Sequence, residues 1–219
     1  MARPKLDRRD LLLLGGAIGI GALVSFVLRR GRDLGVDVGD NAIAQSVLHD
    51  SDSPRLRAPN ADLIAVVFTD YLCPVCKVSA PALARAVADD GRVTLIYRDW
   101  PVFGEPAVAA ARTALAAVPQ GIYPALHTRL MAERRRLDPP VLRQAVEAAG
   151  GDWPWLLSVL ESGGRVIDQR LARNAADARG LGLAGTPSML IGPLLVQGAL
   201  DETALKRAFA QARQLQISR

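Results

Sequence analysis

The 219-residue chain is poor in the residues that cross-link a protein or hold a metal. It has two cysteines and two histidines. The cysteines lie close together, at 73 and 76, which excludes a multi-disulfide scaffold and a four-cysteine zinc site. Aromatic residues make up only 5%, so the core has to be built mainly from Ala, Leu, Val and Ile. Half the residues are hydrophobic and 22% are charged, a globular rather than a disordered composition. Most of the chain also lacks an excess of charge of either sign. The net charge is +5, but seven of the 27 basic groups and two of the 22 acidic ones fall within residues 1–32, which leaves twenty of each. The body is therefore neutral, which argues against nucleic acid as a partner.

The N-terminal region holds one long apolar run. Leu11 to Leu28 (LLLLGGAIGIGALVSFVL) is eighteen residues without a charge. As a helix it would reach about 27 Å, close to the hydrocarbon thickness of a bilayer. Arg8 and Arg9 precede it; Arg29, Arg30 and Arg32 follow it. A cleavable signal wants small residues before the cut. Val24, Phe26 and Val27 make a poor site, so the run is expected to remain as a transmembrane anchor. Arg8-Arg9 also resembles a twin-arginine export signal, with Asp7 where Ser or Thr is usual. Positive charge is slightly heavier on the N-terminal side, which favours a cytosolic N-terminus and an exported body. The expected location is the inner membrane, single-pass, with the body facing the periplasm or extracellular side.

Residues 29–62 read as a connector. Gly31, Gly35 and Gly39, with Asp33, Asp37 and Asp40, break regular structure. Asn41 is placed to cap a short helix through about His49, with Ile43, Val47 and Leu48 as its apolar stripe. That helix (residues 41–49) serves either as a homo-oligomer contact or as a spacer. Leu63 to Phe68 is a continuous apolar run, the pattern of a strand covered on both faces. Cys73 to Ala88 follows as a helix, with Pro74 just inside its start and Pro81 within it, where a kink is expected. Val93 to Tyr97 is a second strand, which completes a right-handed βαβ unit. From Glu105 to Leu181 the pattern is almost all helical. Met189–Ile191 and Leu194–Val196 flank Gly192-Pro193 as a hairpin, and a last helix runs from about Glu202 to Gln214. The expected class is α/β: a small mixed sheet from a βαβ half and a ββα half, with about eighty helical residues between them.

Cys73-Pro74-Val75-Cys76 falls at the strand-to-helix junction. A cysteine at a helix N-terminus meets unpaired N–H groups and the positive end of the dipole, which favour the thiolate, the attacking species in disulfide exchange. Cys76 is one turn on, within reach of Cys73. Cys73 is thus the candidate nucleophile and Cys76 the candidate resolving thiol. A metal site would need two more ligands, and only His49 and His127 are on offer, in different segments. Gly185-Thr186-Pro187, before the third strand, is a candidate cis-proline turn. In such a sheet it lies beside the first helix's N-terminus, with Pro187 against the sulfurs and the Thr186 backbone open to an extended substrate chain.

Three stretches resemble the DsbA-like thiol–disulfide oxidoreductases. They are Val66 to Lys77 (VVFTDYLCPVCK), Tyr97 to Gly104 (YRDWPVFG) and Gly182 to Ser188 (GLAGTPS). The resemblance implies a thioredoxin-like fold with an inserted all-helical subdomain, action outside the cytosol and no organic cofactor. It makes Cys73 the nucleophile, Cys76 the resolving cysteine and Thr186-Pro187 the cis-proline loop. With it the chain divides into a basic segment (1–10), the anchor (11–28), a connector (29–58) and the catalytic domain (59–219), whose insertion spans about 102–182. Two departures stand out. Pro74-Val75 replaces the Pro-His of strongly oxidising members, and Val67 stands where members often carry a buried Glu. Asp70 and Lys77 lie near it in sequence.

The remaining candidates read as structural. Arg134-Arg135-Arg136 is expected on a solvated helix face, Trp153 and Trp155 at a packing corner, and His127 on a helix surface or in its packing. The implied activity is disulfide exchange with cysteine-containing exported proteins, served by a membrane redox partner. Two alternatives stay open: an isomerase or reductase kept reduced by a membrane partner, and a non-catalytic binding or chaperone module of the same fold.

Overall fold

A computed structural model describes residues 34–219. The expected anchor at 11–28 and the basic segment before it lie outside the described residues. Among the described residues no helix is long and apolar enough to cross a membrane.

The sheet has six strands in the order β1-β6-β5-β3-β4-β2. Its centre is β3 (Leu63–Thr69), parallel to β4 (Val93–Asp99) and antiparallel to β5 (Ser188–Ile191), with β6 (Leu194–Gln197) beyond. All seven β4 residues are buried, as expected of a strand covered on both faces. The connector contributes more than was expected. It supplies both edge strands, β1 (Val36–Asp37) and β2 (Arg55–Leu56), each two residues long. It also supplies α1 (Ala42–Leu48), capped by Asn41. The buried face of α1 is Ala44, Val47 and Leu48, which belong to the domain's own core, while Ile43 is half-exposed and fills the space a Gly180 side chain would need.

Side chains alternate across a strand, so each face of the sheet has its own cover. Val66, Phe68, Ile96, Leu190 and Leu195 form one core with α1 and the end of α6 (Trp153–Gly180). The other face takes α2 (Pro74–Asp90), which packs along α7 (Glu202–Ile217). Helix α2 is one continuous element that carries Pro81 inside it and ends on Gly91, whose φ of 68° favours glycine. The insertion comprises α3 (Glu105–Ala116), α4 (Tyr123–Ala132), α5 (Pro139–Ala148) and α6. Helix α3 lies along α6, and α4 packs on α2, α3 and α5. The arginine triplet follows the end of α4 rather than sitting on a helix face, and Arg135 pairs with Glu133.

Candidate active site

Helix α2 starts directly beyond the C-terminal end of β3, and its N-cap is Cys73. Helices α1, α5, α6 and α7 are capped by Asn41, Asp138, Asp152 and Asp201, each through a side-chain oxygen. At α2 the acceptor is a sulfur: the Cys76 N–H donates to Cys73 Sγ at 3.3 Å. Cys73 in turn donates its S–H to the Thr186 carbonyl at 3.2 Å. Both cysteines are free and buried. Burial first, and then hydrogen bonding with Cys73, pushes the Cys76 thiol up to about 11. The Thr186–Pro187 peptide is cis. The turn and the two cysteines are thus brought together across 113 residues. The Thr186 hydroxyl oxygen is buried without a hydrogen-bond partner among the described residues.

Beneath the cysteines lies a cavity of about 350 Å³. Cys76 and Lys77 wall it from α2, Val67 and Tyr97 from the sheet, His127 and Met131 from α4, and Pro187 from the turn. The position of Val67 means that β3 offers the cavity no carboxylate. Asp70 is fully buried but committed to the loops: Oδ1 accepts from the Leu72 N–H at 2.6 Å, and Oδ2 from those of Val102 and Phe103 at 2.6 and 3.0 Å. Lys77 Nζ donates to the Leu130 and Glu133 carbonyls, so it ties α2 to the end of α4. Burial lowers its pKa from the usual lysine value. Around Cys73 the surface is apolar, with Val75, Val102 and Phe103 each about half exposed.

Sequence reasoning missed a second buried group. Asp99, at the end of β4, accepts from the Tyr123 hydroxyl, which is joined to that of Tyr71 and through it to His127. Burial pushes Asp99 up to about 7 and His127 down to about 3. No local pattern could have revealed it, because its members come from a loop, a strand and α4. The one signal was that two tyrosines, a histidine and an aspartate were scattered through apolar segments. His127, expected on a helix surface or in its packing, is a packing residue, buried against the Tyr97 ring at 4.5 Å. Among the described residues no group of three or more His, Cys, Asp or Glu could hold a metal ion.

With this geometry in view, comparison with known proteins is specific. The family profile of the DSBA-like thioredoxin domain matches residues 65–210. A thioredoxin-like oxidoreductase from Silicibacter pomeroyi superposes with a TM-score of 0.73 at 34% identity, over 78% of this chain and 97% of that one. A periplasmic thioredoxin-like protein from Salmonella enterica serovar Typhimurium gives 0.68 at 31% identity, over 78% and 96%. The thiol-disulfide exchange protein alpha-DsbA2 from Wolbachia pipientis gives 0.72 at 26% identity, over 78% and 96%. In sequence the chain is also similar to a Na(+)/H(+) antiporter, NhaA 3, of Salinispora tropica, at 26% identity over 96% of this chain. The chain spans about a third of the length of the curated relatives it matches, 34% of that antiporter. The chain belongs to the family of DSBA-like thioredoxin domains.

Proposed function

We propose that the protein exchanges disulfides with cysteine-containing exported proteins through Cys73 and Cys76. Cys73 attacks a client disulfide and Cys76 resolves the mixed disulfide; in the opposite direction a client thiolate attacks Cys73 of the Cys73–Cys76 disulfide and Cys76 leaves as the thiolate. Thr186 and Pro187 present the client chain beside the sulfurs. The observation that carries the reading is the asymmetry of the two thiols. Cys73 caps α2 and receives an N–H, a donor placed for a thiolate, whereas burial holds the Cys76 proton. The body works in the periplasm or on the extracellular side, tethered by residues 11–28. The uncharged run in the sequence and the periplasmic Salmonella relative support this. In the cytosol the thiol pools would keep both cysteines reduced.

Single-cysteine variants test the roles. Cys73→Ser is expected to abolish exchange, and Cys76→Ser to accumulate mixed disulfides with clients. If Cys76 were the thiol alkylated first in the native reduced protein, the roles would be reversed. A second reading, a reductase or isomerase kept reduced by a membrane partner, draws on Val75: half-exposed and uncharged beside Cys73, it adds nothing to hold a thiolate. The reduction potential of the Cys73–Cys76 couple separates the two, being strongly oxidising for the first and near the thioredoxin range for the second.

A further inference from the structure

Each turnover of a two-cysteine site moves a proton off the resolving thiol and back. When Cys76 attacks a mixed disulfide on Cys73, the Cys76–Cys73 bond forms. The bond from Cys73 to the partner sulfur breaks, and the partner leaves as a thiolate with the electron pair. The Cys76 proton has to go elsewhere. With that thiol pushed up to about 11, the proton does not leave unaided at neutral pH. Val67 cannot take it, and Asp70 is occupied by three backbone N–H groups.

The cavity that Cys76 lines is also lined by His127. We propose that Asp99, Tyr123, Tyr71 and His127 form a proton relay that serves the resolving thiol through this cavity. The inference rests on the reading of Cys76 as the resolving cysteine. The argument is one of hydrogen counting. An ionised Asp99 only accepts, so the Tyr123 O–H donates to it, 3.0 Å from each oxygen. Tyr123 therefore accepts from Tyr71 at 3.3 Å. A hydroxyl has one proton, so Tyr71 must accept from His127 Nδ1–H at 3.1 Å. The neutral ring then keeps a lone pair on Nε2. Protonating Asp99 reverses the row: its O–H donates to Tyr123, Tyr123 to Tyr71, and Tyr71 to Nδ1, which puts the ring proton on Nε2. The two arrangements differ by one proton, taken up at Nε2 and stored on Asp99.

The surroundings suit this transfer. Burial sets Asp99 at about 7 and keeps the His127 ring neutral, so the ring passes a proton rather than holding it. Asp99 also faces Asp70 from the β3–α2 loop, which raises it, and Arg170 from α6, which lowers it. His127 faces Tyr71, Tyr97 and Tyr123, and Lys77 of α2 shares its cavity. All four relay members are positioning residues: the step they serve belongs to Cys76.

Reaction of the reduced full-length chain with 5,5′-dithiobis(2-nitrobenzoate) tests this. Cys73 releases one thionitrobenzoate, and Cys76 releases the second as it closes the disulfide. Asp99→Asn and Tyr71→Phe are expected to slow the second release at pH 8 on the order of a hundredfold and to abolish its inflection near pH 7. The first release should be unchanged, which reports an intact site. A second release with the parent rate and pH profile in both variants would overturn the relay. If the parent showed no second release, or Cys76→Ser retained it, the role of Cys76 would fail first, and the relay with it. Should both variants lose the first release, the parent protein decides alone through ¹⁵N NMR of His127. The expected outcome is Nδ1–H above about pH 7 and Nε2–H below it; one tautomer from about pH 5 to about pH 9 overturns the relay.

Discussion

Arg98 and Asp99 are neighbours on β4, and they meet opposite faces of the sheet. Arg98 enters the face covered by α1 and α6. There it pairs with Asp50 at 2.9 Å and Asp177 at 3.3 Å, and it donates to Asn174 at 2.7 Å. Asp99 enters the face covered by α2 and α4, where hydroxyls hold it and no cation pairs with it among the described residues. The first face is dense: Val66, Phe68, Ile96 and Leu190 are completely buried, and Phe68 meets Trp100 edge-to-face. The second keeps a 350 Å³ cavity with Cys76 and His127 on its walls. A buried charge that is paired contributes to a stable core, whereas one left unpaired is held near neutrality. The molecule thus keeps its ion-paired buried charges on one face and its unpaired buried carboxyl on the face that carries the cysteines.

The sharpest way to break this contrast is with two consecutive β5 residues. Leu190 belongs to the dense core and is fully buried; Met189 lines the cavity. Leu190→Ala should cost about 4 kcal/mol, because it opens a void in a packed region. Met189→Ala should cost about 2 kcal/mol, since its side chain already borders empty space and has fewer contacts to lose. Denaturant unfolding measures both, and equal losses would mean that the two faces are packed alike.

Next comes Arg98→Met, expected to cost about 3 kcal/mol. That is the low end for breaking a buried pair, because Asp50 and Asp177 keep some access to water once the guanidinium is gone. Disulfide exchange by the folded variant should be unchanged. A selective loss of exchange with normal stability would mean that the Arg98 cluster serves the active site after all.

The placement of the candidate site and the centre of the fold were legible in the sequence; the edges and the second buried group were not. Cys73 and Cys76 could be read because a helix start, a proline and two thiols are a local pattern. Residues 29–62 read as a connector, because strands of two residues show no alternation and Gly35 and Asp37 look like breakers. Helix α6 falls in the stretch from Glu105 to Leu181 read as almost all helical, and it carries Gly163-Gly164 inside it. The helix runs unbroken through them, with Gly164 buried beside the Arg112 guanidinium of α3. The Asp99 group depends on contacts across 24 and more residues, which no spacing rule reaches.

The working face should show itself in the pH dependence of stability. Unfolded Asp and His titrate near about 3.9 and about 6.5, and in the folded chain Asp99 lies at about 7 and His127 at about 3. From about pH 4 to about pH 6.5 the folded state therefore holds one extra proton on Asp99 and lacks one on His127. The two slopes, each about 1.4 kcal/mol per pH unit, have opposite signs and cancel. Asp99→Asn removes one of them, and its stability should rise with pH across this window. His127→Gln removes the other, and its stability should fall as pH rises towards about 7. Asp50, Asp62 and Asp90, held low by their partners, act below the window, and Asp177, raised by burial, adds its slope equally to the parent and both variants. Slopes of the same sign in the two variants would count against the contrast between the faces.

The smallest effect expected is on the cap of α1. Asn41 Oδ1 accepts from the Ile43 and Ala44 N–H groups at 2.9 and 3.1 Å. The helix has only seven residues, too few to hold itself without packing. Its buried stripe rests on the dense face, so the cap and the core support one another. Asn41→Ala should cost about 1 kcal/mol and lower the melting temperature by about 2–4 °C. Exchange activity and the release of thionitrobenzoate should not change, because α1 and the cysteines lie on opposite faces of the sheet. If this segment were a free spacer, the substitution would leave the melting temperature where it was. If it were a contact between two chains, the loss would depend on protein concentration. A loss that is independent of concentration and silent in activity is what a helix packed on its own domain requires.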